Sequence, residues 1–189
     1  MPMNVPNSLT VFRIALIPVF ILVYFLPFDW APPVSAIIFG VAALTDALDG
    51  FLARMLGQDS NFGAFLDPVA DKLIVVAALA LLVMHDGGIL ITIAAIVIIG
   101  REIAISALRE WMAELGSRTS IAVSWIGKFK TLAQMIALFL LLWQHDIAGM
   151  PTWTVGMLLL YVSVGLTLWS MFHYLRAAWP EIRPGADVP

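Results

Sequence analysis

The chain alternates between long apolar runs and short breaks that are rich in proline, glycine and polar residues. Several of the runs approach the length needed to cross a bilayer. Six spans follow from the pattern, at roughly residues 8–27, 33–56, 67–85, 88–112, 126–145 and 152–177. The breaks between them contain the prolines and glycines that end helices, such as Pro27, Pro33, Gly87 and Pro151. The pattern therefore predicts an all-α integral membrane protein with six transmembrane helices.

Composition strengthens this prediction and leaves no room for a separate soluble domain. Hydrophobic residues make up 61% of the 189 residues, charged residues only 12%, and the mean hydropathy is +0.96. We expect one six-helix transmembrane domain over residues 1–179, followed by a short polar tail over 180–189. Membrane lipid is an expected partner and nucleic acid is not. The absence of cysteine excludes disulfides, thiolate metal ligands and cysteine nucleophiles.

The basic residues predict the orientation in the membrane. All ten Lys and Arg residues fall on one side of the predicted topology. The three opposite turns, near Asp29, His85–Asp86 and His145–Asp146, contain none. By the positive-inside rule, both termini and the two long polar loops are expected in the cytoplasm.

Two aspartates and two small residues share one face of the second predicted helix. Asp46, Asp49, Gly50 and Ala53 follow the i, i+3, i+4, i+7 spacing that brings side chains to one side of a helix. Asp46 is expected about 18 Å along a membrane core about 30 Å thick. Ionisable groups at that depth are costly and usually functional. Small neighbours on the same face would let a ligand or another helix approach the backbone.

A second acidic pair opens the third predicted helix. Asp67 followed by Pro68 is typical of an N-cap with proline at the first helical position, and Asp71 comes one turn later. Four carboxylates converging from two helices cannot all stay ionised without cations between them. Their hard oxygens favour Mg2+ or Mn2+, as one ion or a two-metal pair. Alone, Asp67 could be a simple cap and Asp49 could pair with Arg54, but the four together favour a metal site.

These residues also carry a family resemblance. The segment Asp46-x2-Asp49-Gly50-x2-Ala53-Arg54-x8-Gly63-x3-Asp67-x3-Asp71 resembles the complete signature of the CDP-alcohol phosphotransferases. The resemblance implies that family's six-helix fold. It also implies transfer of a phosphatidyl group from CDP-diacylglycerol, or a related CDP-alcohol, to an acceptor hydroxyl with release of CMP.

The resemblance assigns roles by position. Asp46, Asp49, Asp67 and Asp71 would bind two Mg2+ or Mn2+ ions, and Asp71 would also take the proton from the attacking hydroxyl. The residues that would bind CDP-diacylglycerol are Asn7, Thr10, Gly50, Ala53, Arg54, Ser60 and Gly63. Without the resemblance, Asn7 or Ser8 would be interpreted as a helix cap.

The acceptor is expected to meet the basic residues of the 101–131 segment. Arg101, with Glu102 beside it, lies too deep in the fourth predicted helix for ordinary snorkelling. Arg109, Lys128 and Lys130 follow, and fixed cations at this depth suit a phosphorylated acceptor. The alternative is a buried Arg101–Glu102 pair with the other cations as membrane anchors; we favour phosphate binding for Arg101 and Lys128.

The same segment and the start NVPNSLTVFRIALIPVF resemble bacterial members of the family that use glycerol 3-phosphate. This implies sn-glycerol 3-phosphate as acceptor, a homodimer, and a place in the bacterial inner membrane with the active site facing the cytoplasm. Within the family, inositol phosphate or serine is the alternative acceptor. Outside it, an intramembrane prenyltransferase or a divalent-cation transporter would also use intramembrane acids.

Overall fold

The structure is a computed structural model that describes residues 5–56, 61–114 and 125–182. Side chains within these ranges are described except at residues 5–7, 46–56, 61–65, 67, 109, 113–114, 125–128, 177–178 and 180–182. The described residues form six helices: α1 (Val5–Tyr24), α2 (Ala31–Leu56), α3 (Asn61–Asp86), α4 (Ile89–Glu114), α5 (Trp125–Trp143) and α6 (Thr152–Ile182). No strand occurs in these ranges, so the all-α, six-helix prediction is confirmed.

Prolines lie in the first turns of α1 and α2. Pro6 follows Val5 in α1, and Pro32 and Pro33 follow Ala31 in α2. Proline is tolerated there because the first-turn N–H groups have no partner inside the helix. The interpretation of Asn7 or Ser8 as a cap is therefore wrong, since both residues lie inside α1 rather than before it.

The third helix begins earlier than the sequence predicts. It starts at Asn61, so Asp67 is not its N-cap and Pro68 lies inside it. An internal proline removes one backbone hydrogen bond and crowds the carbonyl four residues earlier. The helix continues through it because residues 61–66 are mainly apolar and include the strong helix formers Ala64 and Leu66. Asp67 and Asp71 still have the i, i+4 spacing within one helix.

The last helix extends beyond its predicted end. It continues through Pro180 to Ile182, so the first three residues of the predicted polar tail are helical. Arg176, whose carbonyl lies opposite the proline ring at i−4, is exposed, and solvent or headgroups can satisfy that group there. The rest of the predicted tail, residues 183–189, lies outside the described residues.

The helices pack in a closed ring, and α3 contacts four of the other five helices. Around the ring, α1 contacts α2, α2 contacts α5, α5 contacts α6, α6 contacts α4, α4 contacts α3, and α3 returns to α1. Helix α3 also contacts α2 and α5. Its buried positions include Ile74, Ala78 and Leu82, which form part of the common apolar core. Because α3 carries Asp67 and Asp71, this position places the acids within reach of several helices.

Close packing between α5 and α6 depends on one glycine. A Cβ atom at Gly156 would lie 2.8 Å from Cγ of Leu141 and 3.2 Å from the carbonyl oxygen of Ala137. Small residues at helix contacts are typical of membrane proteins, where close van der Waals packing drives association. This contact holds the two helices together on the side of the bundle that also carries Lys130.

Polar contacts join the three turns that contain no Lys or Arg. The Tyr24 hydroxyl donates to the Leu81 carbonyl oxygen at 3.4 Å, and Gln144 Nε2 donates to the same hydroxyl at 3.2 Å. The His85 ring lies 6.4 Å from the Tyr24 ring and 6.2 Å from the Trp153 ring, between centroids. The three turns therefore lie at one end of the bundle, here called the outer end.

Among the described residues, three helical segments are long and apolar enough to cross a membrane: Pro68–Asp86, Ile89–Met112 and Thr152–Arg176. The other three helices contribute shorter apolar segments, Ser8–Tyr24, Ala31–Thr45 and Phe129–Trp143. These apolar helices support membrane association. That all six helices cross the membrane remains a prediction, which the alternating direction of the packed helices favours.

Candidate active site

A cavity of about 280 Å³ opens between the four helices α3 to α6. Its apolar wall is built from Val75, Val76, Ile98, Ile99 and Met135. Its polar wall consists of Asp71, Lys72, Arg101, Glu102, Lys130, Thr131, Gln134 and Tyr174. The cavity therefore joins an acid predicted to be catalytic with two of the cations predicted to bind a phosphate.

Three charged groups of the cavity lie in one layer of the bundle. At 1.5 Å per residue, Asp71 is about 22 Å from the outer end of α3, Arg101 about 18 Å from that of α4, and Lys130 about 20 Å from that of α5. The layer is therefore separated from the outer end by more than half of the thickness of a membrane core, which is about 30 Å. A small polar substrate could reach it from the opposite end of the bundle.

A shared carboxylate links the two buried cations. Glu102 Oε1 accepts hydrogen bonds from Arg101 Nη1 and from Lys130 Nζ, the latter at 3.4 Å. The Lys130 side chain is 4% exposed and that of Arg101 13%, whereas that of Glu102 is 28% exposed. Two cations share one carboxylate, so this group of three side chains carries a net positive charge. Because a charge removed from water requires a partner, the group can bind a further anion.

A second chain of hydrogen bonds fixes α3 against α4. Lys72 Nζ donates to Ser106 Oγ at 2.5 Å, and Ser106 Oγ donates to the Glu102 carbonyl oxygen at 2.6 Å. Because Lys72 follows Asp71 directly, this contact also holds the α3 segment that carries the acid. The wall containing Asp71 is thus tied to the wall containing Arg101 and Glu102.

The predicted metal ligands have a backbone arrangement that suits convergence. Asp46 and Asp49 lie on one face of α2 by register, and α2 contacts α3, which carries Asp67 and Asp71. Asp46 is about 22 Å from the outer end of its helix, the same height as Asp71. Only Asp71 has a described side chain, and among the described side chains there is no group of three or more potential metal ligands. A set made only of carboxylates fits Mg2+ or Mn2+, and it remains a prediction.

Comparison with known proteins identifies the family. The CDP-alcohol phosphatidyltransferase family matches the chain over residues 3–169. A relative from Salmonella typhimurium is 56% identical over 180 residues, 94% of this chain and 96% of its own length. One from Yersinia pestis (strain Pestoides F) is 54% identical over 182 residues, 96% of this chain and 98% of its own length. Both are named CDP-diacylglycerol--glycerol-3-phosphate 3-phosphatidyltransferase.

The chain belongs to the CDP-alcohol phosphatidyltransferase family. The match spans the first five helices and most of α6, so it covers the signature and nearly all of the cavity. It ends at residue 169, before Tyr174, which lines the cavity from α6. The resemblance inferred from the signature is confirmed.

Most residues that the family signature assigns to the CDP-diacylglycerol donor are placed only by their backbone. Gly50, Ala53 and Arg54 lie on α2 and Gly63 lies on α3. Asn7 lies on α1, where Thr10 is 1% exposed and hence buried against the bundle. Ser60 lies outside the described residues. The donor site therefore stays a prediction from the signature.

The four predicted acceptor residues of this family member fall into two groups. Arg101 and Lys130 line the cavity with described side chains, whereas Arg109 and Lys128 are described only by their backbone. Lys128 precedes Lys130 by two positions, about 200° around α5, so the two register positions face different sides. The structure thus places Lys130 in the cavity wall, while the sequence analysis favours Lys128. The Arg101–Glu102 pair weighed as an alternative also forms, and it lies within the cavity.

The sequence interpretation missed several cavity residues. Gln134 is four positions after Lys130 in the mainly apolar helix α5, and this i, i+4 pair of polar residues was the available signal. Its Oε1 accepts a hydrogen bond from Ser163 Oγ at 3.4 Å across the α5–α6 contact. Tyr174 had no such signal, because only tertiary packing brings the end of α6 to the cavity.

Proposed function

We propose that the protein transfers the phosphatidyl group from CDP-diacylglycerol to sn-glycerol 3-phosphate, giving phosphatidylglycerophosphate and CMP. The observation that carries this proposal is the cavity in which Asp71 lies in the same layer as Arg101 and Lys130. A phosphorylated alcohol has the two features that such a site would engage, namely an anion for the cations and a hydroxyl for the acid. The names of the Salmonella and Yersinia relatives support the same reaction.

In the proposed mechanism, the acceptor phosphate rests against Arg101 and Lys130. Its primary hydroxyl then points towards Asp71, which takes the hydroxyl proton as the oxygen attacks the β-phosphorus of the donor. A new phosphorus–oxygen bond forms, the bond to the bridging oxygen breaks, and CMP leaves with that oxygen. A carboxylate is a weak base, so in-line positioning must supply much of the rate enhancement.

The proposed metal ligands are Asp46, Asp49, Asp67 and Asp71. Family resemblance implies divalent-cation dependence, and a carboxylate ligand set suits Mg2+ or Mn2+, with two ions expected. Bound there, the ions would neutralise the pyrophosphate and its developing charge. The aspartates hold the ions, and Asp71 additionally accepts the proton.

The donor is proposed to bind on the α1, α2 and α3 side of this layer. Arg54 would pair with a donor phosphate, and Gly50 and Gly63 would leave room for the nucleotide. Asn7, Thr10, Ala53 and Ser60 would complete its surroundings. An acid site near the inner membrane face lets the acyl chains stay in lipid while the cytidine diphosphate meets water.

The alternatives differ in what they need from the cavity. Serine carries no phosphate, and its single carboxylate stands beside its own ammonium group, so it fits two cations less well than a phosphate dianion does. Inositol phosphate is the alternative that also fits a positive site. A cation transporter needs acids near the midplane and a path to the far side. The cavity instead ends in the apolar side chains Val75, Ile98 and Met135, and family membership favours transfer chemistry.

The test of the proposed function is an assay of the purified protein in detergent or lipid nanodiscs. CDP-diacylglycerol is supplied with Mg2+ and with glycerol 3-phosphate, inositol phosphate, serine or glycerol. We expect CMP release and lipid product with glycerol 3-phosphate, and loss of both when a chelator is added. Faster product formation with another acceptor would overturn the acceptor assignment, and absence of CMP release with every acceptor would overturn the transferase.

We further propose a multi-pass protein of the bacterial inner membrane with both termini and the active site in the cytoplasm. Because the chain has no cysteine, single cysteines can report the topology. We expect an impermeant thiol reagent added from outside to label Asp146→Cys, an exposed position at the outer end. Asp59→Cys, in the predicted cytoplasmic loop, should be labelled only after the membrane is opened. The reverse pattern would contradict the orientation.

The family resemblance also leads us to propose a homodimer. Its interface is not assigned to particular helices, because apolar faces exposed in a single chain can meet lipid as well as a partner. Cross-linking in native membranes, followed by determination of the cross-linked mass, tests the dimer separately from activity.

A further inference from the structure

The carboxylate of Glu102 occupies the place between the two cations of the cavity. One oxygen, Oε1, contacts both Arg101 Nη1 and Lys130 Nζ. A phosphate oxygen that bound both cations would need this same position. Glu102 therefore makes the contacts that we have proposed for the acceptor phosphate.

The three groups differ in how far they are buried. The side chains of Lys130 and Arg101 are 4% and 13% exposed, whereas that of Glu102 is 28% exposed, so Glu102 has the most room to change its position. Moving Glu102 away with no replacement would remove the carboxylate that both cations contact, which is unfavourable because both cations are largely removed from water. An arriving anion that replaces Glu102 on both cations therefore favours its displacement.

The pair does not use all the hydrogen-bonding capacity of the guanidinium. Arg101 Nη1 donates to Glu102, but Arg101 Nε is buried without a hydrogen-bond partner among the described residues. A buried donor left unpaired is costly, so the contact with Glu102 satisfies only part of the hydrogen-bonding capacity of Arg101. A ligand with several acceptor oxygens, such as a phosphate ester, can accept hydrogen bonds from more of the Arg101 N–H groups than one carboxylate oxygen does.

We propose that Glu102 is a specificity-determining residue that stands in for the acceptor phosphate and discriminates against anions without hydroxyl groups. This inference rests on the proposed function, because it takes the cavity as the acceptor site. Sulfate, a tetrahedral dianion that carries no proton at neutral pH, can displace Glu102 from the cations but leaves the displaced carboxylate without a donor. Glycerol 3-phosphate brings hydroxyl groups that donate to that carboxylate, so it offsets the cost of the displacement.

The test compares Glu102→Gln with the parent protein and with Glu110→Gln. Glutamine keeps the size of the side chain and removes its charge. Glu110 lies on the same helix, is exposed, and has no assigned role, so it is the matched control. The measured quantities are the inhibition constant of sulfate against glycerol 3-phosphate and the KM for glycerol 3-phosphate.

In Glu102→Gln we expect the inhibition constant of sulfate to fall about tenfold or more, since a charge-assisted contact no longer has to be displaced. The KM for glycerol 3-phosphate should change by less, because the variant loses both the competition and the hydroxyl contact. The inhibition constant divided by the KM for glycerol 3-phosphate therefore falls in Glu102→Gln, while Glu110→Gln leaves this ratio unchanged. A purely structural role for Glu102 predicts an unchanged ratio or a parallel rise of both constants, and either result overturns the proposal.

A measurement of anion binding without turnover tests this proposal independently of the proposed function. Titration of sulfate into purified protein in nanodiscs should show tighter binding by Glu102→Gln, and the gain should vanish in Glu102→Gln/Lys130→Met. If the parent protein shows no transferase activity but this pattern appears, the proposed function fails and the stand-in role survives. If activity is present but sulfate binds Glu102→Gln no more tightly, the stand-in role alone is wrong.

Discussion

Asp71→Asn is expected to lower turnover by a factor of about 100 or more, the scale of a lost general base. The substitution keeps the shape of the side chain but removes both the proton acceptor and one negative metal ligand. Asp71 lies in the wall of the cavity that also contains Arg101 and Lys130, so the loss falls where the acceptor hydroxyl is proposed to react. The measurement is kcat for CMP release at saturating Mg2+ and glycerol 3-phosphate.

The loss in Asp71→Asn should appear in kcat more than in donor binding, since three of the proposed metal ligands and the donor residues remain. Asp86→Asn is the matched control, because Asp86 lies on the same helix at the outer end and is exposed. We expect that control to keep near-parent turnover. Near-normal kcat in Asp71→Asn, or in chelator-treated protein, would contradict both the base and the metal site.

The helices could be predicted from the sequence because each apolar run has to satisfy its own backbone hydrogen bonds in a membrane. The residues at which the helices begin and end were predicted less accurately. The rule that favours Asp-Pro as a helix start was overridden at Asp67, where the apolar, helix-forming stretch before it continues the helix through Pro68. Pro180 shows the same effect at the end of α6. A local signal indicates where a helix can begin or end, and the neighbouring residues decide whether it does.

The acids of the candidate site could be found from spacing, whereas the cavity could not. Asp46, Asp49, Asp67 and Asp71 share helix faces by sequence register alone. The contact between Glu102 and Lys130 joins residues 28 positions apart on different helices, and it depends on how each helix is rotated. Two lysines near the start of α5 look equivalent in sequence, and the packing of α5 places Lys130 in the cavity wall. The same holds for Tyr174.

Arg101→Ala is expected to lower kcat/KM for glycerol 3-phosphate by about ten- to a hundredfold, the equivalent of one charge-assisted phosphate contact worth about 1.5–3 kcal/mol. Arg101 is largely buried in the cavity wall, so water would not replace the guanidinium contact fully. The KM for CDP-diacylglycerol should stay near its parent value, because the donor is proposed to bind on the other side of the layer. Kinetics with each substrate varied in turn separate the two effects.

Lys130→Ala and Lys128→Ala then form a matched pair on one helix. Lys130 is buried in the cavity, so its loss should weaken acceptor use by about tenfold. Lys128 lies about 200° away around α5, and its loss should change acceptor use by less than about threefold. A larger effect at Lys128 would restore the sequence-based choice and place the phosphate outside this cavity. Loss of donor affinity with unchanged acceptor affinity in Arg101→Ala would mean that the cavity cations bind CDP-diacylglycerol instead.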